Sequence, residues 1–304
     1  MNIIKRMPFA FQAALIIMLL WSGTGIASDF DAVIYPGLTR GGEGIFLCIE
    51  GGQDNIYEVQ YNNKTYTPYK TEEYRSEICL PVPIDGGGLM KVSVLEKNSG
   101  ITREYDFTAE RRKIEVLHLR KQDEIMRDKQ PSIEEEDKKV MAALRYVSPY
   151  KYWSSEFISP IAEGGYEIST EFALKKQGDK YSYFHKGVDL AAPLGVPVKA
   201  MNDGKVILSG KNYNIYGNII FLDHGQGVVS CYFHMSNAFK EEGEMVLKDE
   251  VIGEVGSTGW STGPHLHFGV YLQGQAVDPF WWIDFSGKVL YPELQSMNQG
   301  GAEK

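Results

Sequence analysis

Residues 263–270 read GPHLHFGV. Side chains in a strand alternate between its two faces, so His265 and His267 point the same way if this run is a strand. Phe268 and Val270 support that assignment. The chain has 6 histidines in 304 residues, so two on one strand face mark a candidate site. Both can bind one metal ion, or one can bind it while the other faces whatever the metal holds. The loop before them, GSTGWSTGP (256–264), brings Gly256, Gly259, Gly263 and Pro264, which let the backbone turn tightly around an opening.

Two further stretches carry candidate ligands. In YFHKGVDLAAPLG (183–195), His185 and Asp189 stand four apart. A straight strand separates such residues by roughly 13 Å, so they share an ion only if the chain bends, and Gly187 permits a bend. In VVSCYFHMS (228–236), alternation places Val229, Cys231 and Phe233 on one face, read as core. It leaves Ser230, Tyr232 and His234 on the other, more polar face. Two histidines and a carboxylate with a fourth position open to water make a catalytic zinc site. No H-E-x-x-H occurs, so a helix-borne glutamate base is not available. Acid–base duties then fall to the spare histidines.

The surrounding pattern is mainly β. Residues 153–285 alternate and turn at Asp203-Gly204 and at His224–Gly227, as an antiparallel sheet domain does. Residues 28–110 hold short strand-like runs such as GIFLCIE and EICLPVPI, with a hairpin turn at Asn62-Asn63. This spacing points to an immunoglobulin-like β-sandwich. Residues 111–152 form a connector: KIEVLHL alternates like a strand, and a charged helix follows with Ser132 as N-cap and Glu135 at the capping-box position. His118 there is expected to be structural. Residues 286–304 are read as a C-terminal tail.

Residues 1–27 have Lys5 and Arg6, an apolar run from Pro8 to Trp21, then small residues, which is the layout of a secretory signal peptide. The run falls short of the roughly 20 apolar residues of a spanning helix, so cleavage is favoured over a retained anchor and no membrane span is expected afterwards. Net charge is −9 with no basic block, which gives no invitation to nucleic acid. Of the 3 cysteines, Cys231 reads as core. Cys48 and Cys79 either pair in an oxidising compartment or remain buried thiols, and spacing leaves both open.

Taken together, HKGVD (185–189), YGNIIFLDHGQGVVSCYFHMS (216–236), GEMVLKDEVIGEVGSTGWSTGPHLHFGV (243–270) and VDP (277–279) resemble the lysostaphin/LytM-type zinc metallopeptidases, which hydrolyse peptidoglycan cross-bridges. The resemblance covers roughly residues 155–285. It implies a compact antiparallel domain with a narrow groove, a Zn2+ ion held by His185, Asp189 and His267, and His234 with His265 as a non-ligand catalytic pair. His224, at a turn, is taken as structural. One departure is visible: where members often carry Phe-Gly and then Arg before the first ligand, FALKK (172–176) has Ala173 and Lys175. The implied function is a periplasmic endopeptidase acting on peptidoglycan stem peptides, at D-Ala–diaminopimelate cross-links. The alternative is a latent or non-catalytic member, working with a regulatory partner, that controls another cell-wall hydrolase.

Overall fold

The computed structural model describes residues 30–119, 133–179 and 182–291. The expected signal segment, the Ser132 cap and residues 292–304 lie outside them.

Two sheets make the N-terminal domain. One runs β1 (Asp31–Tyr35), β3 (Gly44–Glu50), β7 (Arg75–Pro81), β6 (Tyr69–Glu72). The other runs β2 (Leu38–Arg40), β9 (Thr102–Glu110), β8 (Gly88–Glu96), β4 (Tyr57–Tyr61), β5 (Lys64–Tyr66). Alternation decides the faces: in β8, Val92 and Val94 are buried while Lys91 is exposed. Ile45, Leu47, Ile78 and Leu80 of the first sheet meet Val59, Val92, Val94 and Phe107 of the second. The result is a β-sandwich. Its hairpin turn has Asn62 and Asn63 at φ 49° and 57°, the left-handed pair that a two-residue type I′ turn requires.

Cys48 and Cys79 lie on neighbouring strands but two residues out of register: Cys48 faces Glu77 and Cys79 faces Phe46. Such diagonal neighbours are about 7–8 Å apart, beyond the usual Cα range of a disulfide. Both are free and buried. Burial pushes each thiol up to about 12. They help to cement the two domains, because Phe46, Cys48 and Cys79 share one apolar cluster with Leu272, Val277, Trp282 and Phe285. Arg112 reinforces this junction, donating from Nε to Gly41 O (2.7 Å) and pairing with Asp278 (3.1 Å).

The C-terminal domain is built on an antiparallel sheet in the order β11 (Glu167–Thr170), β14 (Val188–Ala191), β22 (His265–Leu272), β18 (Val228–Met235), β17 (Gly217–Gly225), β16 (Gly204–Tyr213), β20 (Met245–Val246), with β23 (Gln275–Val277) also paired to β22. A second sheet holds β15 (Pro197–Lys199), β21 (Val251–Glu254) and β19 (Asn237–Ala238). β17 and β18 are buried along their whole length, so both faces of the main sheet are covered. On one face Leu190, Ile220, Tyr232 and Phe268 pack with the helix α2 (Pro279–Phe285). Asp278 caps α2 by accepting from the Phe280 and Trp281 N–H groups, and Pro279 occupies the first helical position.

The other face meets the segment read as a connector. Helix α1 (Ile133–Leu144) lays Val140, Ala143 and Leu144 on Phe221, Val229, Cys231, Phe233 and Tyr271. Strand β10 (Val116–His118) pairs with β12 (Lys175–Gln177), which pairs with β13 (Ser182–Phe184). The described parts of this segment, β10 and α1, thus pack against strands of the C-terminal domain. His118 is exposed on that edge instead of packed. A π-turn at Ser286–Leu290 continues α2, and buried Ser286 accepts the Phe157 N–H (3.0 Å).

Candidate metal centre

The β14–β22 register sets Asp189 opposite His267 and Ala191 opposite His265, which puts the two histidines and the carboxylate on one face. The chain bends between β13 and β14 at Gly187. A Cβ there would lie 2.5 Å from Phe268 O and 2.8 Å from His267 Nε2, so no larger residue fits without movement. The bend folds His185 back until its Nε2 is 3.0 Å from Asp189 Oδ1.

Three atoms converge. His267 Nδ1 is 2.8 Å from Asp189 Oδ1 and 2.9 Å from His185 Nε2. Ligand atoms around a tetrahedral ion with bonds of about 2.0–2.1 Å sit roughly 3.3 Å apart, close to these separations. The hydrogen bonding of His185 makes the point chemically. Its Nδ1–H donates to Glu171 O (3.0 Å), so Nε2 carries a bare lone pair. A proton on His267 Nδ1 satisfies only one contact, and His185 Nε2 and Asp189 Oδ1 still face each other as acceptors. A cation among the three resolves that repulsion, so these residues fit a metal ion. Burial opposes the Asp189 charge, but the neighbouring His185 and His267 outweigh it and hold the carboxyl far below the usual carboxylate range.

The other two site histidines are oriented by the glycine-rich loop. His234 Nδ1–H donates to Thr258 O (2.8 Å) and His265 Nδ1–H to Gly263 O (2.8 Å). Both Nε2 atoms are left bare. His265 Nε2 stands 4.0 Å from Asp189 Oδ1, and the His234 and His265 ring centroids are 4.7 Å apart. Burial first, then the neighbouring His267 and His265, pushes His234 down to about 3, so its ring is neutral at pH 7.

His234 reaches the site by a route that simple alternation misses. Phe233 is in register with His267, and the two rings stack (5.1 Å, 8°). The Val229–Cys231–Phe233 face is core, as expected, and at Phe233 it also adjoins the metal trio. Strict alternation would turn His234 away. Instead β17 and β18 lose register between Asn218/Met235 and Ile220/Tyr232, so Phe233 and His234 together oppose Ile219. His234 takes φ 63° in this bulge, and the left-handed backbone re-aims its ring. His224 lies elsewhere, fully buried between Asp203 O (2.7 Å) and Ser230 Oγ (2.8 Å), a structural position.

Ala173 has a φ of 66°. Left-handed backbone costs an alanine roughly 1–2 kcal/mol. The turn it forms holds the first histidine from both sides: Ala173 N–H donates to His185 O and His185 N–H to Leu174 O, both at 2.9 Å.

The trio opens into a groove of about 500 Å³. Leu117, Val140, Met141 and Leu144, from β10 and α1, supply one wall, and Trp260 and Tyr271 supply others. Among the described residues, none of the N-terminal sandwich lines it. Sequence reasoning missed the bulge, the stacking of Phe233 on His267 and the place of α1 in the groove wall. The helix was signalled by apolar residues at 140, 143 and 144 within a charged stretch.

Residues 183–279 match peptidase family M23. The DD-carboxypeptidase/endopeptidase Mpg of Neisseria meningitidis serogroup B is 47% identical over 113 residues, 37% of this chain and 26% of that protein. The peptidoglycan DD-endopeptidase ShyA of Vibrio cholerae is 36% identical over 94 residues, 31% of this chain and 22% of that protein. The chain thus spans about a quarter of the length of these curated relatives. The crystal structure of a putative peptidase M23 from Pseudomonas aeruginosa aligns over 80% of this chain and 94% of its own, with TM-score 0.58 and 27% identity. The assembled His–Asp–His trio lies within residues 183–279, the stretch that matches peptidase family M23.

Proposed function

We propose that the protein is a zinc-dependent endopeptidase that hydrolyses peptide cross-links of bacterial peptidoglycan. His185, Asp189 and His267 hold the ion, and the observation that carries this is the convergence of their lone pairs within 3.0 Å. Zinc bound there supplies Lewis acidity, polarising a peptide carbonyl and lowering the pKa of water. The chain's own part in the chemistry belongs to His234 and His265. Their carbonyl-pinned tautomers aim two bare Nε2 atoms at the groove, where they take up a proton from the attacking water and return one to the leaving amine. A ring that has gained the proton donates to the developing oxyanion.

Stem-peptide cross-links are the substrate class supported by the relatives named DD-carboxypeptidase/endopeptidase and DD-endopeptidase. The D-Ala–diaminopimelate bond is the cleavage point we favour. The signal-like layout of residues 1–27 supports work in the cell envelope. Among the described residues, no helix is long and apolar enough to cross a membrane. The sandwich is read as immunoglobulin-like because its strand orders, 1-3-7-6 and 9-8-4-5, follow the ABED and GFCC′ arrangement. A non-catalytic regulator has no use for three converging ligands and two oriented histidines, which argues against the alternative. Digesting purified cross-linked peptidoglycan with and without a chelator tests the proposal. Chelator-sensitive release of monomeric muropeptides, identified by mass spectrometry, is expected, and no release with zinc-loaded protein would refute it.

A further inference from the structure

The groove holds positive charge that the chemistry above does not use. Lys186 follows the ligand His185 and is exposed at the groove, while Lys176 on β12 is half-buried in it, in register with Tyr183 of β13 and Leu117 of β10. Neither ammonium makes an ion pair or hydrogen bond with a described residue. Some lysines elsewhere in the same domain are engaged: Lys199 with Asp249 (2.7 Å), Lys248 with Glu156 (3.0 Å) and Lys240 with Glu250. Among the described residues lining the groove, Asp189 is the one carboxylate, and it is committed to the histidines.

The contrast with the rest of the molecule is sharp in sign. The chain carries a net charge of −9, yet the free charges beside its metal trio are both positive. Apolar and aromatic walls concentrate that field, because low-dielectric surfaces focus field lines along a cleft. A ligand carboxylate would supply the charged partner that neither ammonium has.

We propose that Lys176 and Lys186 are specificity-determining residues that receive free carboxylates flanking the scissile bond, so that the groove selects acidic peptides over their amidated counterparts. This rests on the endopeptidase reading for its substrate, but not for its test. The test is a double-mutant cycle on the full zinc-loaded chain, with Lys→substrate-carboxylate as the pair. The probes are a synthetic cross-linked stem peptide with free carboxylates and the same peptide with those groups as carboxamides. Binding is measured by calorimetry and turnover as kcat and KM. Any direct contact between metal and carboxylate is common to all proteins in the cycle and cancels.

Wild type should bind the carboxylate form about tenfold more tightly, two partly exposed charge pairs of ordinary strength. In Lys176→Gln/Lys186→Gln the preference should fall to near unity, and Lys176→Arg/Lys186→Arg should restore it. The preference should also shrink with added salt. Equal binding of both peptides by wild type, or a preference that survives the double Gln variant, would overturn the proposal. Carboxylate preference in binding with no cleavage of either peptide would leave the lysine assignment standing and sink the endopeptidase reading. Cleavage without carboxylate preference would do the reverse.

Discussion

The two β domains obey the same alternation but fill their interiors differently. The sandwich core is Ile, Leu, Val, Phe and Tyr packed sheet on sheet, with Thr39, Ser76 and Glu96 as its buried polar residues. The C-terminal domain buries His185, Asp189, His224, His234, Asp223 and Asn218. Desolvating such groups is costly unless each is paired. Each of these has named partners: five of the six side chains bond backbone groups, and the Asp189 carboxylate meets the two histidines. The difference locates the chemistry: one domain is held by apolar area, and the other spends part of its interior on oriented polar groups.

Several substitutions would break or sharpen that contrast. The largest expected effect is on Asp189→Ala, which should abolish metal binding and reduce hydrolysis by more than about a thousandfold, while the sandwich stays folded. Metal analysis and circular dichroism on the same preparation check it. In the sandwich the opposite pattern is expected. Leu47→Ala, at a fully buried site, should cost about 2–5 kcal/mol in urea denaturation yet leave metal stoichiometry unchanged.

A smaller effect concerns pH. Burial pushes His224 down to about 4, against about 6.5 in the unfolded chain. Between those values the unfolded chain binds a proton that the folded one refuses. Stability should therefore be full above pH 6.5 and fall as pH drops toward 4, by up to about 1.4 kcal/mol per pH unit from this residue. His224→Gln, itself less stable at pH 7, should show a shallower slope in denaturation against pH. The smallest effect is a gain: Ala173→Gly should stabilise by about 1 kcal/mol, because glycine adopts the required left-handed backbone freely. A loss at that position would mean the turn behind His185 is not strained.

Much of this was legible in the sequence. Strand period put His265 and His267 on one face, and the need for a bend between His185 and Asp189 pointed to Gly187, where it occurs. Turn chemistry marked Asn62-Asn63. What stayed hidden has a common physical cause. Alternation assumes an unbroken ladder, and the bulge at Phe233-His234 violates it, so alternation put His234 on the face away from Phe233 and His267. Helix α1 was visible as a helix, but its charged face read as solvated and gave no hint that its apolar edge closes the groove. Glu136 and Asp137 on that helix hold Asn214 N–H (2.9 Å) and Tyr216 OH (2.7 Å), long-range contacts that no local pattern encodes.

The central claim is the division of the five site residues into three ligands and two unliganded histidines. Zinc content measured alongside hydrolysis, on His265→Ala and His267→Ala in the full chain, tests it most directly. The account expects His267→Ala to lose metal and activity together, and His265→Ala to keep its zinc while activity falls about a hundredfold or more. Loss of zinc from His265→Ala, or retention of it by His267→Ala, would contradict it.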